Sequence, residues 1–188
     1  MGKYLLGLDC GHTVTKAVLF DLAGNEVASG KGNNEVISLH PGWQERTMEA
    51  AASAAITAIA EAVKSIDANE IIAIGVCGHS DGLYLLDKNK KPLRNAIFAT
   101  DNRAKEISEK LSKTIGDKLM SIIGQHLFPA SAGALLVWVK ENEPENFKNL
   151  GFMLACKEWI RTTLTDSIGA DISDASGYFA NRLLAVAA

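Results

Sequence analysis

Leu5-Leu6-Gly7-Leu8-Asp9-Cys10-Gly11-His12-Thr13-Val14-Thr15-Lys16-Ala17-Val18-Leu19-Phe20-Asp21 reads as an apolar strand, a short polar turn and a second apolar strand. Each polar residue has a task if that turn faces a phosphate. Gly11 lets the backbone approach closely because it has no Cβ. Backbone N–H groups and the hydroxyls of Thr13 and Thr15 can donate to phosphate oxygens, as concave runs of amides do. Asp9 is a hard oxygen donor of the kind that suits Mg²⁺, which keeps several waters and shares its shell with substrate phosphates. Lys16 offsets anionic charge. The same residues also fit a plain β-hairpin whose turn happens to hold Gly and Thr.

Outward from this turn, three strands are expected at 4–9, 14–21 and 26–32, with Asp21-Leu22-Ala23-Gly24-Asn25 as a hairpin turn. The sheet therefore opens with an antiparallel meander. A loop over 33–42 precedes a helix expected at 43–66. Its apolar face is read as Met48, Ala52, Ala55, Ile56, Ile59 and Val63, with small Ala side chains that allow close approach to a sheet. Ile71-Ile72-Ala73-Ile74-Gly75-Val76-Cys77-Gly78-His79 has no polar alternation and reads as a parallel strand buried on both faces, reached by a β–α–β crossover. It ends in His79-Ser80-Asp81, at the carboxyl end of a strand, where open α/β sheets hold ligands.

Further on, 83–87 and 96–99 are expected to form a second hairpin around Lys88-Asn89-Lys90-Lys91-Pro92, whose Lys cluster reads as a solvated turn. Thr100-Asp101 reads as the cap of a helix reaching Lys113. Helices follow at 117–123 and 131–141, the latter broken by Glu143-Pro144-Glu145. Residues 150–156 form a short strand or loop, 157–164 a helix, and 169–177 a polar loop with Asp171, Ser173, Asp174 and Ser176. The tail over 178–188 is apolar without a cap or stop, as in a chain cut inside or just before an element.

The totals narrow the class. With 188 residues and 47% hydrophobic content, the chain can bury a sizeable core. A net charge of −3 gives no footprint for nucleic acid, and no apolar run is long enough to span a bilayer. No signal-peptide pattern opens the chain. Cys10, Cys77 and Cys156 are odd in number and widely spaced, which reads as small buried hydrophobes in a reducing cytoplasm rather than a disulfide framework or zinc site.

Taken in order, these segments resemble the amino-terminal domain of the FGGY family of carbohydrate kinases, which has the ribonuclease-H-like α/β fold of the actin, hexokinase and Hsp70 superfamily. Asp9 to Lys16 is similar to the family's phosphate motif D-x-G-x-S/T-x-x-K/R. Pro41-Gly42-Trp43-Gln44-Glu45 resembles its P-G-W-x-E segment. Gly82-Leu83-Tyr84-Leu85-Leu86-Asp87, with Pro92-Leu93 and Ala96-Ile97, resembles its G-L-x-x-L-D-x-x-x-x-P-L-x-x-A-I stretch. Asp101-Asn102-Arg103-Ala104 resembles D-x-R-A, Leu164-Thr165-Asp166 stands where the family has L-T-G, and Ser173-Asp174-Ala175-Ser176 resembles its T/S-D-A-S loop.

The resemblance implies ATP-dependent phosphorylation of a sugar hydroxyl. Asp9 would hold the magnesium of MgATP through water, and Gly11, Thr13, Thr15 and Lys16 would face the transferred phosphate. His79, Ser80 and Asp81, then Thr100, Asp101 and Arg103, would contact the sugar or support those that do. No catalytic residue is expected here: the family's base, second phosphate motif and adenosine pocket lie in a second, carboxy-terminal domain, which is the partner the resemblance implies. Homodimerisation stays open. The chain would be the sugar-binding half, inactive alone. His79 stands where many members have Gln, and Ala99-Thr100 where many have Trp. That leaves a more polar wall, closer to the L-xylulose kinase branch, so a ketopentose is the expected substrate. Other readings are a histidine that merely closes a strand, an actin-like or Hsp70-like nucleotide switch, and a non-catalytic regulatory half-kinase that binds partner proteins. The repressor relatives of sugar kinases would bring a helix-turn-helix and a Cys-rich zinc motif, which the sequence lacks.

Overall fold

Alternating burial sets the sheet. In β1 (Tyr4–Cys10), Leu6, Leu8 and Cys10 are buried on one face while Leu5 and Asp9 are exposed on the other. β2 (Val14–Asp21) runs antiparallel to it, and β3 (Glu26–Asn33) antiparallel to β2. Asp21 closes the second turn by accepting from the backbone N–H of Ala23 and Asn25, both at 2.9 Å. The computed structural model describes residues 2–171 and Asp174.

The crossover helix α1 (Met48–Val63) starts at Thr47, whose hydroxyl accepts from Ala50 N at 3.1 Å. It lies so close to β3 that a Cβ on Gly32 would sit 2.0 Å from Ala54 O, and one on Gly30 2.2 Å from Ala58 O. The buried face is nearly all alanine: Met48, Ala51, Ala52, Ala54, Ala55, Ala58 and Ala62. Ile56, expected on that face, is 53% exposed, because glycine on the strand draws the smallest side chains inward. The helix also starts later than expected. Glu45–Arg46 is instead a short strand, β4, paired with β7 (Ala96–Ile97).

After a 3-10 turn at Ala68–Glu70, β5 (Ile71–Gly78) returns parallel to β1, giving the order β3-β2-β1-β5. The crossover is as expected, but the burial is not. β5 is the outer strand of the sheet among the described residues, and Ile72 and Ile74 are 56% and 42% exposed. Of the cysteines, Cys10 and Cys156 are buried as expected and Cys77 is exposed.

The second half forms its own core, where Leu83, Leu85 and Ile97 meet Ala104, Leu135, Leu136 and Val139. The expected hairpin of 83–87 with 96–99 forms through antiparallel bridges, Leu83 with Ile97 and Leu86 with Pro92, and not as a continuous ladder between β6 (Tyr84–Leu86) and β7. The turn between them exists, with Asp87 Oδ1 accepting from Asn89 N at 2.7 Å and Lys91 N at 2.9 Å. The ladder partner of β6, however, is β8 (Phe152–Leu154). α2 (Lys105–Ile123) is one helix, passing through 114–116, where a break was expected, and ending at Gly124 with φ +70°. Its cap position is Ala104, not Thr100 or Asp101. α3 (Ala132–Asn142) stops where expected, and Pro144 opens a further short helix, α4 (Pro144–Lys148). α5 (Cys156–Thr165) follows β8. Ser173, Ala175, Ser176 and the tail over 178–188 lie outside the described residues.

Candidate functional site

Parallel pairing brings the two polar ends of the sheet side by side. Asp9 is registered with Lys16 across β2 and with Cys77 across β5, so the three side chains share one face. All three residues are exposed. The Asp9 carboxylate accepts from the Cys77 thiol at 3.7 Å and forms no ion pair with any described residue. Gly11 closes the turn by donating to Val14 O at 3.2 Å, and a Cβ there would lie 2.8 Å from that oxygen.

Thr13 is exposed, whereas Thr15 is 1% exposed and faces the core side with Ala17 and Leu19. Its hydroxyl accepts from Asn34 Nδ2 at 3.1 Å. The same amide donates to Gly11 O at 2.8 Å, and Asn34 N donates to Thr13 O at 3.0 Å. Asn34 therefore holds the turn from beneath. Sequence reasoning passed over it as a loop residue, and no local pattern distinguishes it.

His79 begins the loop after β5 and donates its backbone N–H to Cys10 O at 3.3 Å. Ser80 is exposed. Asp81 and Gly82 both take left-handed backbone, φ 57° and 80°, so the chain turns sharply there. A non-glycine residue in that region stores strain of the sort found at binding sites. Burial pushes the Asp81 carboxyl above its usual range, and the Asp174 charge adds to this, against the weaker pull of His79 and Ser80.

Thr100 is exposed and hydrogen-bonded to Gln44. Asp101 and Arg103 lie beneath. Asp101 Oδ2 accepts from Gln44 N at 2.7 Å, and its carboxylate binds Arg103, both side chains being 0% exposed. Arg103 is flanked by Trp43 and Trp138, its guanidinium carbon 4.2 and 5.0 Å from the ring centres, and Nη1 is 2.6 Å from Glu45 Oε1. Glu45 also pairs with Arg94, which reaches Glu143 at 2.9 Å. The PGWQE segment is thus tied to the D-x-R segment by charge and aromatic stacking, and neither the Asp101 nor the Arg103 side chain reaches the surface.

A second buried group was not foreseen. Arg46 is 1% exposed, yet its partners are Tyr84 Oη at 3.0 Å and Cys156 Sγ at 3.4 Å, with its guanidinium over Phe98 at 5.0 Å. Tyr84 Oη also meets His79 Nε2 at 3.1 Å. The His12 ring, from the first turn, stacks on His79 with centroids 4.4 Å apart and planes 17° apart. Burial lowers the pKa of His12, and His79 and Arg46 lower it further. Each sequence-predicted segment therefore touches the next: the Asp9–Lys16 turn meets the His79 loop through His12, and β6 joins both to Arg46.

Comparison with known proteins agrees with this arrangement. Residues 4–181 match the FGGY family of carbohydrate kinases, N-terminal domain. The L-xylulose/3-keto-L-gulonate kinase of Escherichia coli (strain K12) is 35% identical over 179 residues, 94% of this chain and 36% of the relative. The xylulose kinase of Bacillus subtilis (strain 168) is 31% identical over 93% of this chain and 36% of its own. Among solved structures, a gluconate kinase from Lactobacillus acidophilus superposes with a TM-score of 0.90 at 27% identity, over 98% of this chain and 39% of that one. A ligand-bound xylulose kinase from the same organism gives 0.87 at 28%, over 93% and 36%. The chain spans little more than a third of the length of these relatives. Its fold is the ribonuclease-H-like α/β fold read from the sequence, and the chain belongs to the FGGY family of carbohydrate kinases.

Proposed function

We propose that this chain is the sugar-binding half of an ATP-dependent kinase that phosphorylates a hydroxyl of a ketopentose such as L-xylulose. The observation that carries the reading is the shared face of Asp9 and Lys16, exposed and without a competing ion pair among the described residues, one strand away from the His79–Asp81 loop. A phosphate and a sugar hydroxyl can meet there. The L-xylulose and xylulose kinases among the relatives favour a ketopentose.

The residues suit their parts. Asp9 offers one hard carboxylate to magnesium. No three His, Cys, Asp or Glu side chains converge to cage a metal among the described residues, which fits an ion held by water and phosphates as well as protein. MgATP, when bound, supplies the phosphoryl group and its neutralising cation. Thr13, Lys16 and the backbone of Gly11 face that group, while Thr15 and Asn34 hold the turn's shape. Ser80, Asp81 and Thr100 face the sugar, and Asp101 and Arg103 fix the wall behind them. Phosphoryl transfer rests mainly on positioning and charge stabilisation, with a base near the attacking hydroxyl. That base is assigned to the carboxy-terminal part of the protein, so the chain alone binds sugar without turning it over.

A thermal-shift screen of the chain against ketopentoses, aldopentoses, aldonates and polyols tests this. A ketopentose is expected to raise Tm in a concentration-dependent way. A chain that folds and responds to none of them, or that turns over sugar with ATP unaided, would overturn the reading.

A further inference from the structure

Arg46 is the charged residue least explained by the fold. It is buried, it has no carboxylate partner among the described residues, and its Nε and Nη1 have no hydrogen-bond partner there. Buried polar groups are nearly always satisfied, so such a group calls for a reason. His79 Nδ1 and His12 Nε2, in the same cluster, are also buried and have no hydrogen-bond partner among the described residues.

The direction of the hydrogen bonds follows from the chemistry of the groups. Guanidinium has no acceptor, so Arg46 Nη2 must donate to Tyr84 Oη (3.0 Å). A phenol has one hydrogen. Burial raises the pKa of Tyr84 well above the usual value, so that hydrogen stays in place. With its oxygen already receiving from Arg46, Tyr84 donates outward. His79 Nε2, 3.1 Å away, is within reach as the acceptor. Cys156 Sγ, which faces Arg46 Nη2 at 3.4 Å, is the rival acceptor for the same hydrogen, and the tautomer of His79 distinguishes the two. An imidazole nitrogen that accepts leaves the ring's hydrogen on the other nitrogen.

Resting on the sugar-site reading above, we propose that Arg46 and Tyr84 are positioning residues that lock His79 in its Nδ1–H tautomer, so that His79 meets the substrate as a hydrogen-bond donor. The unpartnered Nδ1–H is then the group that a substrate oxygen satisfies, directly or through one water. The stack with His12 holds the ring plane against the first turn, so the donor's direction is set from both segments. A site built to give a hydrogen bond discriminates strongly, because a ligand without the acceptor leaves a buried donor unpaired. On this basis the selected sugar carries an oxygen acceptor at the position facing His79, and a deoxy analogue lacking it is rejected.

The test is proton–nitrogen correlation NMR of the chain carrying ¹⁵N-labelled histidine, with His79 assigned by its loss in His79→Gln. The proposal expects a bonded hydrogen on Nδ1 and a bare Nε2 in the unmodified protein, and a shift toward the Nε2–H form in Tyr84→Phe. Nε2–H in the unmodified protein would overturn it, since Tyr84 would then be donating to Cys156. A Tyr84→Phe variant that folds and keeps the Nδ1–H form would overturn it as well. The unmodified protein alone decides the tautomer if the variant does not fold. Calorimetry with L-xylulose separates this from the function proposed above. An Nδ1–H tautomer with no sugar binding would sink the sugar reading and leave the relay standing. Where the sugar binds, Tyr84→Phe should weaken it about fivefold to tenfold, the worth of one well-placed hydrogen bond.

Discussion

Asp101 and Arg103 hold each other through two parallel hydrogen bonds, Oδ1 to Nε and Oδ2 to Nη2, each 2.9 Å long and fully out of water. Flat guanidinium matches flat carboxylate, and the same flat group lies against Trp43 and Trp138. An ammonium can do neither. Arg103→Lys is therefore expected to lower the stability of the domain by about 3–5 kcal/mol, the range for breaking a buried pair. Urea unfolding checks this. A loss below about 1 kcal/mol would mean that the pair is far better hydrated than its burial indicates.

Asp81 combines left-handed backbone with a carboxyl whose pKa is raised by burial. Because the folded form binds its proton more tightly than the unfolded form, stability from this group falls as pH rises through the interval between the usual carboxylate value and the raised one. Asn tolerates the same backbone and carries no charge. Asp81→Asn should raise Tm at neutral pH and flatten the pH dependence of stability in that interval. It should also abolish ketopentose binding. An unchanged pH profile would show that Asp81 is not the group responsible.

Gly32 supports α1 where no side chain fits, a Cβ there reaching 2.0 Å from Ala54 O, which is backbone and cannot swing aside. Gly32→Ala must push the helix off β3. A destabilisation of roughly 1–3 kcal/mol or more is expected from overpacking, read as a lower urea midpoint. The control is Gly75→Ala, where a Cβ would meet nothing within 4 Å and the cost should be small.

Asp9→Asn separates chemistry from folding. The side chain is exposed, and its hydrogen bond among the described residues is to the Cys77 thiol, so urea stability should change by less than about 0.5 kcal/mol. In the full-length kinase proposed above, the same change should cut kcat by orders of magnitude, with little effect on the proposed sugar binding. Retained kcat would remove Asp9 from the reaction.

The segments with local signals were legible from sequence. The opening meander, the crossover and the parallel return of β5 follow from the apolar runs and the helix between them, as does the placing of Asp9, Gly11 and Lys16 at a turn between two strands. What failed depended on partners far away in the chain. β4 reads as helix until its pairing with β7 is known, and β6 takes β8 as its ladder partner while only single bridges tie its segment to the stretch that follows it. Thr100-Asp101 has the composition of a cap, but the carboxylate goes to Arg103 and the helix starts at Lys105. Arg46 and Asn34 gave no warning, since arginine and asparagine are ordinarily surface residues and only the folded core shows them satisfying, or awaiting, other groups.

β1 and β5 are parallel neighbours, so the Asp9 end and the His79 end stand one interstrand step apart, about 4.8 Å. That gap is a ruler made of backbone. On the function proposed above, side-chain replacements in the loop alter which sugar is welcomed without changing the backbone spacing between the Asp9 turn and that loop. On that reading, selectivity is free to drift while this strand spacing stays fixed.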